Sequence, residues 1–427
     1  MIRISLCGVS DVMKVAIVGA GVSGLVAAYM LHREHDITVF EAGDYAGGHV
    51  NTIPVEVESG TYQVDTGFIV FNEHTYPNFR RLLKRLGVGE QPSDMSFSVS
   101  SRQDDFEYAS QSANAVFAKR SHLFQPTFYR MLYDKVRFHR EARHLLEMLG
   151  DGPTLGEFLD ARRYSRTFID RLIVPQVAAV WSAPELAARA FPAKYLARFL
   201  DNHGLLQVGN HHRWSTVPGG SARYVEAMTR PFRRRIRLGS PIQSIARSED
   251  WVDIRPRNGE PERFDRVIIA THSDQALRML SDPTPREREL LTAFEYQTNE
   301  VALHTDERLL PKRHRAWASW NYHVVDRDSG ASAVTYHMNR LQSIDAPEQF
   351  CVTLNNLETI DEGRIVKRIR YHHPVFTHRS VYAQDNHQAV LGANRTYFCG
   401  AYWGYGFHED GVDSALRVAA YFGAALS

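Results

Sequence analysis

The stretch Lys14-Val15-Ala16-Ile17-Val18-Gly19-Ala20-Gly21-Val22-Ser23-Gly24-Leu25-Val26-Ala27-Ala28-Tyr29-Met30-Leu31 decides how this chain is read. Val15 to Leu31 carry no charge, between a lysine and the polar run His32-Arg33-Glu34-His35-Asp36. Length alone leaves a membrane span or a secretion signal open, because a spanning helix needs about twenty apolar residues and a signal peptide a positive start and a small-residue cleavage site. The small residues separate the readings. Gly19, Gly21 and Gly24 form a G-x-G-x-x-G pattern straight after the β-branched run Val15-Ala16-Ile17-Val18, as in a strand entering a tight turn.

Leu25 to Leu31 then suits a buried helix, and Ile37-Thr38-Val39-Phe40 a second strand, so the unit is a βαβ. Gly19 is expected to make the turn, Gly21 to let the backbone approach a pyrophosphate, and Gly24 to let helix and strand pack closely. Val22 and Ser23 open the helix whose N-terminal amides would meet the phosphates. Glu41, followed by Ala42, stands where a dinucleotide-binding fold places an acid that accepts hydrogen bonds from the adenosine ribose.

The 427 residues are enough for two or three cores, and the formal charge of +1 gives no sign of nucleic-acid binding. Cys7, Cys351 and Cys399 form neither a disulfide framework nor a metal pattern, which suits a reducing cytoplasm. The 20 histidines are mostly single or adjacent, such as His211-His212 and His372-His373, and without an HExxH motif no metal is expected.

The next residues distinguish the nucleotide. Gly47-Gly48-His49 place a second glycine pair just beyond the ribose acid, and Val64-Asp65-Thr66-Gly67-Phe68 gives another tight turn with an acid. This order resembles the flavin-containing amine oxidoreductase superfamily, in which a GG-R segment and then a D-x-G turn follow the ribose acid. His49 stands in place of the usual arginine. The resemblance implies FAD and an α/β architecture: a Rossmann-like FAD-binding domain of the glutathione-reductase/amine-oxidase type with an inserted, discontinuous α+β substrate domain. It places Ile242, on the strand after Ser240-Pro241, and Ala270, after Asp265 to Ile269, beside the nucleotide.

Thr396 to Val412 reads as strand, glycine-rich aromatic loop and helix, the helix running through Ala424, and is similar to the superfamily's flavin-proximal motif. The resemblance assigns Gly400, Asp410, Gly411 and Val412 to the cofactor. Physically, amides at the helix start suit the flavin edge where negative charge collects on reduction, although Asp410 would equally cap the helix. Covalent members carry a cysteine in this loop. Here it reads Gly400-Ala401-Tyr402-Trp403, so non-covalent FAD is expected.

The expected FAD-binding domain comprises residues 13–74, 215–275 and 390–427, and the substrate domain residues 75–214 and 276–389. Residues from Thr75 to about Ala190 read as largely helical, with Glu300 to His304 and Cys351 to Leu354 as later strands. Residues 1–12 have no clear role, so Met13 is a candidate natural start.

Pro175 to Ser182, Asn202 to Leu206, Tyr336 to Arg340 and Gly406 to Gly411 are similar to a bacterial subgroup of predicted FAD-binding proteins linked to cyclopropane and furan fatty acid metabolism. The implied reaction is dehydrogenation of an unsaturated or methyl-branched acyl chain by hydride transfer to flavin N5. An amine oxidase and a flavin-dependent double-bond isomerase are the alternatives. Tyr402, Trp403, Tyr405 and Phe407 are candidates for a cavity wall, or for ordinary core. His304 with Asp306 is a candidate acid/base pair, or a structural one. Many amine oxidases hold a lysine near flavin N5; its place falls close to Asn299, and no lysine lies between Arg278 and Pro311. The partner is a small-molecule or lipid substrate, and Arg230, Arg233, Arg234, Arg235 and Arg237 would offer peripheral contact with anionic headgroups, or form an exposed helix end.

Overall fold

The structure, a computed structural model, describes residues 12–206, 212–324 and 333–426; Cys7, His211 and the start of the chain lie outside the described residues. Lys14–Val18 is the centre of a parallel sheet, paired with Asp36–Phe40 on one side and Arg266–Ile269 on the other. Ile236–Arg237 and Thr396–Phe398 complete its two edges. Both faces of such a sheet are covered, which is why Val15 to Val18 are uniformly apolar instead of alternating. The helix Val22–Leu31 is packed between this sheet and the last helix, His408–Ala420, and most of it is buried. The uncharged run Val15 to Leu31 is therefore apolar because protein surrounds it. Among the described residues, no helix is long and apolar enough to cross a membrane.

A second, seven-stranded sheet is built from distant segments in the order Ile365–Val375, Glu295–His304, Cys351–Leu354, Ala333–His337, Trp320–His323, Phe97–Ser101 and Phe106–Ala109. It shares one core with the helices Pro126–Glu147, Val174–Trp181 and Ala193–Asn202. The hairpin Phe97–Ala109 corrects the expectation of a largely helical segment. Its serines face the interior: Ser98 Oγ donates to Asn321 Oδ1 at 2.7 Å, so the strand is polar by composition and buried by pairing. The last helix stops at Ala420, short of the expected Ala424. Gly423, at φ +77°, turns the chain so that Ala424 N–H returns to Ala419 O at 3.1 Å, a glycine stop signal.

Candidate active site

The predicted nucleotide residues meet at the C-terminal ends of the parallel strands. Gly19, at φ +103°, donates its N–H to Phe40 O at 2.8 Å, and a Cβ on Gly24 would lie 1.9 Å from Gly19 O. A Cβ on Gly21 would meet nothing within 4 Å. The helix behind it has neither a side-chain cap nor an acid in its first turn, so its positive end faces open space. Glu41 closes one side: Oε2 accepts Ala20 N–H at 2.7 Å and Oε1 accepts Gly43 N–H at 2.8 Å, with Ala42 exposed beside it.

The second glycine pair lies against the first loop. Gly47 N–H donates to Ala20 O at 2.8 Å, and a Cβ on Gly48 would lie 3.1 Å from Gly21 Cα. Gly67 fits against His49, since its Cβ would sit 2.1 Å from His49 O. Ala270 N–H donates to Val18 O at 2.7 Å, and Ser240 N–H to Glu41 O at 2.7 Å, which leads the chain past the acid into the strand beginning at Ile242. Gly411, followed by the fully buried Val412, abuts the first helix: its Cβ would lie 2.7 Å from Val22 Cγ1 and 3.0 Å from Ser23 Oγ. Gly400 N–H donates to Ser414 Oγ at 2.9 Å, fastening the aromatic loop to the last helix. Two adjoining helix N-termini, an open glycine and an acid at the end of the second strand make a cradle that fits the phosphates and ribose of FAD.

A group absent from the sequence reading stands over this cradle. Tyr371, on the strand Ile365–Val375, stacks on His49 with ring centroids 4.8 Å apart. Thr66 Oγ1 donates to Asn51 O at 2.9 Å, so Tyr371 Oη donates to Thr66 Oγ1 at 3.0 Å and accepts from Asn51 Nδ2 at 3.1 Å. His373 shares that strand face, 5.4 Å from the His49 ring, and its Nδ1 lies 2.9 Å from Asn299 Nδ2. His49 is held well below the ordinary imidazole range, first by burial and then by His373, His272, His408 and His372. His49 is thus a neutral ring where the superfamily has a cation. His408 stacks on Phe68 at 3.7 Å and meets Tyr224 Oη through Nε2 at 2.5 Å. Among the described residues, no group of three or more histidine, cysteine or acidic side chains is placed to hold a metal ion.

The aromatic loop divides. Tyr402 and Trp403 turn into a separate core with Phe294, and Trp403 stacks on His387 at 4.0 Å. Tyr405 and Phe407 face the helix Ala193–Asn202, 4.6 Å from Tyr195 and 5.3 Å from Phe199. Gly404 and Gly406 make this division. A Cβ on Gly404 would lie 2.2 Å from Asp410 Oδ1, and Gly406 is at φ +89°. Asp410 caps the last helix, accepting Phe407 N–H at 2.8 Å, while burial pushes its carboxyl up to about 7. His304 is not brought to the site. It lies five residues along the strand from Asn299, roughly 17 Å at strand spacing, with Nδ1 accepting Asp306 N–H and Nε2 donating to Thr353 Oγ1. Asp306 is held by Arg308 at 2.6 Å, far below the usual carboxylate range. Cys399 is buried and its thiol pushed up to about 12, an inert group just before the loop.

Residues 22–421 match the family model of flavin containing amine oxidoreductases. A flavin-dependent L-tryptophan oxidase from Lentzea aerocolonigenes is 25% identical over 280 residues, covering 58% of this chain and 54% of that protein. The chain spans about half the length of the curated relatives it matches. Among solved structures, cyclohexylamine oxidase from Brevibacterium oxydans IH-35A aligns with a TM-score of 0.69 and 15% identity over 96% of this chain and 98% of that one. A CLA-producing fatty acid isomerase from P. acnes aligns at 0.66 and 16% identity, over 97% and 99%. At these identities the likeness to solved structures shows the fold. Cradle and family model together place this chain in the flavin-containing amine oxidoreductase family, with FAD as its cofactor.

Proposed function

We propose that the protein is an FAD-dependent oxidoreductase, acting in the cytoplasm, that dehydrogenates an apolar substrate such as an unsaturated or methyl-branched fatty acyl chain. The FAD-binding part comprises residues 13–74, 215–275 and 390–427, and the substrate part residues 75–214 and 276–389. FAD, held without a covalent bond, supplies a hydride acceptor at N5. The protein's share is to position a C–H bond and exclude water.

The observation that carries the reading is the aromatic cluster between the loop and the substrate helices. Trp181 Nε1 donates to Tyr405 O at 3.0 Å and Tyr195 Oη to Gly404 O at 2.9 Å, so the polar ends of these rings are spent on backbone carbonyls. Trp181, Tyr195 and Phe199 are buried, while Tyr405 and Phe407 stay partly exposed against them, and burying a chain on such apolar surface is worth about 0.8 kcal/mol for each CH₂. Asn299, at the place of the family lysine, is a neutral amide held between Asn355 and His373. The oxidase activity of the L-tryptophan relative favours a second reading, an amine or amino-acid oxidase.

Anaerobic mixing of oxidised holoenzyme with a panel of amines and of unsaturated and methyl-branched lipids, followed by flavin absorbance, distinguishes these. Bleaching by a lipid is the expected result. Rapid bleaching by a simple amine, with none by any lipid, replaces this proposal by the amine oxidase. Double-bond migration in a lipid without net bleaching replaces it by the isomerase.

A further inference from the structure

The helix Pro126–Glu147 is apolar on two opposite faces. One face buries Phe128, Met131, Phe138, Ala142 and Leu145 in the core. The other exposes Tyr129, Tyr133 and Val136, at 46%, 57% and 59%, with the i, i+4, i+7 spacing of a single stripe. The turn leading into the helix adds Phe124, 85% exposed, and Leu123. Tyr129 Oη donates to Leu123 O at 3.1 Å, so turn and stripe form one patch. Single exposed apolar residues need no explanation, whereas a contiguous stripe marks a surface that something covers.

Charge identifies the cover. Arg120, Arg130 and Arg140 are exposed around the stripe: Arg120 donates to Phe117 O and Asn114 Oδ1, and Arg130 bonds Asp134 while its guanidinium stands 5.6 Å over the Tyr133 ring. The acids beside the stripe are withdrawn: Asp134 is fully buried beneath Arg130 and Ser165, and Glu141 is held by Arg137 and Tyr164, while the exposed Glu147 stands at the far end of the helix, three turns beyond Val136. From Phe124 to Arg140 the exposed face is therefore aromatic and cationic. We infer that this face docks the protein peripherally on an anionic lipid bilayer, with the rings at the headgroup boundary and the arginines reaching phosphates. A second copy of the chain fits less well, because a two-fold contact joins two copies of the same cationic face. The arginine run after Thr229 is a weaker candidate, because Phe232, the ring within it, is buried and leaves the charges without an aromatic partner for the headgroup boundary. The inference deepens the acyl-chain reading, since a bilayer is where such chains are held, yet docking and turnover are measured separately.

The test is co-sedimentation of holoenzyme with phosphatidylcholine vesicles, with and without phosphatidylglycerol. Binding to the anionic vesicles, weakened by salt, is expected. The triple variant Phe124→Ser, Tyr133→Ser, Val136→Ser should bind at least about tenfold more weakly, with flavin content and melting temperature showing that it folds. Absence of wild-type binding to anionic vesicles overturns the inference, as does undiminished binding by the folded triple variant. A dimer in sedimentation velocity that the same substitutions dissociate assigns the face to a second copy and overturns it too. Docking that persists while no lipid bleaches the flavin leaves this inference standing and removes the acyl-chain proposal.

Discussion

Asn299 Nδ2 lies 2.9 Å from His373 Nδ1, and a chain of amides fixes the direction of that hydrogen bond. Glu300 N–H donates to Asn355 Oδ1 at 3.3 Å, so Asn355 Nδ2 donates to Asn299 Oδ1 at 3.0 Å, which leaves Asn299 Nδ2 to donate to His373. His373 therefore carries its proton on Nε2. Burial, then His272 and His372, push its pKa down to about 4. Asn299→Asp puts a carboxylate oxygen against Nδ1, which should protonate that nitrogen and raise the histidine pKa by about 1–3 units. Histidine ring NMR across a pH series measures this, and an unmoved midpoint would show that Asn299 does not set the protonation of His373.

Gly21 and Gly411 separate binding from folding. A Cβ on Gly21 meets nothing in the chain, so Gly21→Ala should leave the melting temperature of the apoprotein unchanged while the methyl occupies space facing the phosphates. FAD affinity should fall by at least about tenfold, or 1.4 kcal/mol. Gly411→Ala drives a Cβ to 2.7 Å from Val22 Cγ1, forcing the two helix N-termini apart at about 1–3 kcal/mol of overpacking. Calorimetry of apoprotein and flavin titration together check the pair. Equal melting losses in both variants would contradict the open space at Gly21.

Glu41 has a structural duty besides the expected ribose contact. Its carboxylate accepts Ala20 N–H and Gly43 N–H, joining the first glycine loop to the segment after the second strand. Glu41→Ala removes two charge-assisted bonds of about 1.5–3 kcal/mol each, so both FAD affinity and apoprotein stability should decline. Unchanged flavin affinity would detach Glu41 from the nucleotide.

The cradle was legible because its geometry is local: turn, helix and acid lie within Gly19 to Glu41. The ceiling above it was not. Tyr371 and His373 follow Lys367, Arg368 and Arg370, a charged stretch that reads as solvated surface, and become site residues only when their strand pairs with Glu295–His304. The Phe97–Ala109 hairpin was hidden for a related reason, its serines being satisfied by Asn321, a residue more than two hundred positions away. The aromatic loop announced its composition but not its division, because Gly404 and Gly406 send Tyr402 and Trp403 to one core and Tyr405 and Phe407 to another.

The histidines over the cradle make acid stability a measure of their burial. Burial first, then neighbouring histidines, lowers His373 to about 4, while burial with a further push from His372 and Arg278 outweighs the opposing pull of Asp274 and sets His272 at about 4. An imidazole with a folded pKa below its unfolded value near 6.5 favours the folded state when neutral. Its contribution is complete above about pH 6.5 and is lost as pH falls toward 4, by at most about 1.4 kcal/mol per pH unit for each group. Asp410 and Glu409, both pushed up to about 7 mainly by burial, act with the opposite sign, so the total stability curve mixes both. A difference curve isolates one group. His373→Gln keeps an acceptor for Asn299 Nδ2 and removes the titration, while the carboxyls are common to both proteins. Between pH 6.5 and 4.5 the wild type should lose more unfolding free energy than His373→Gln, in urea melts at matched FAD, with the gap widening as pH falls. Parallel curves would mean that His373 titrates in the folded protein as it does in the unfolded chain.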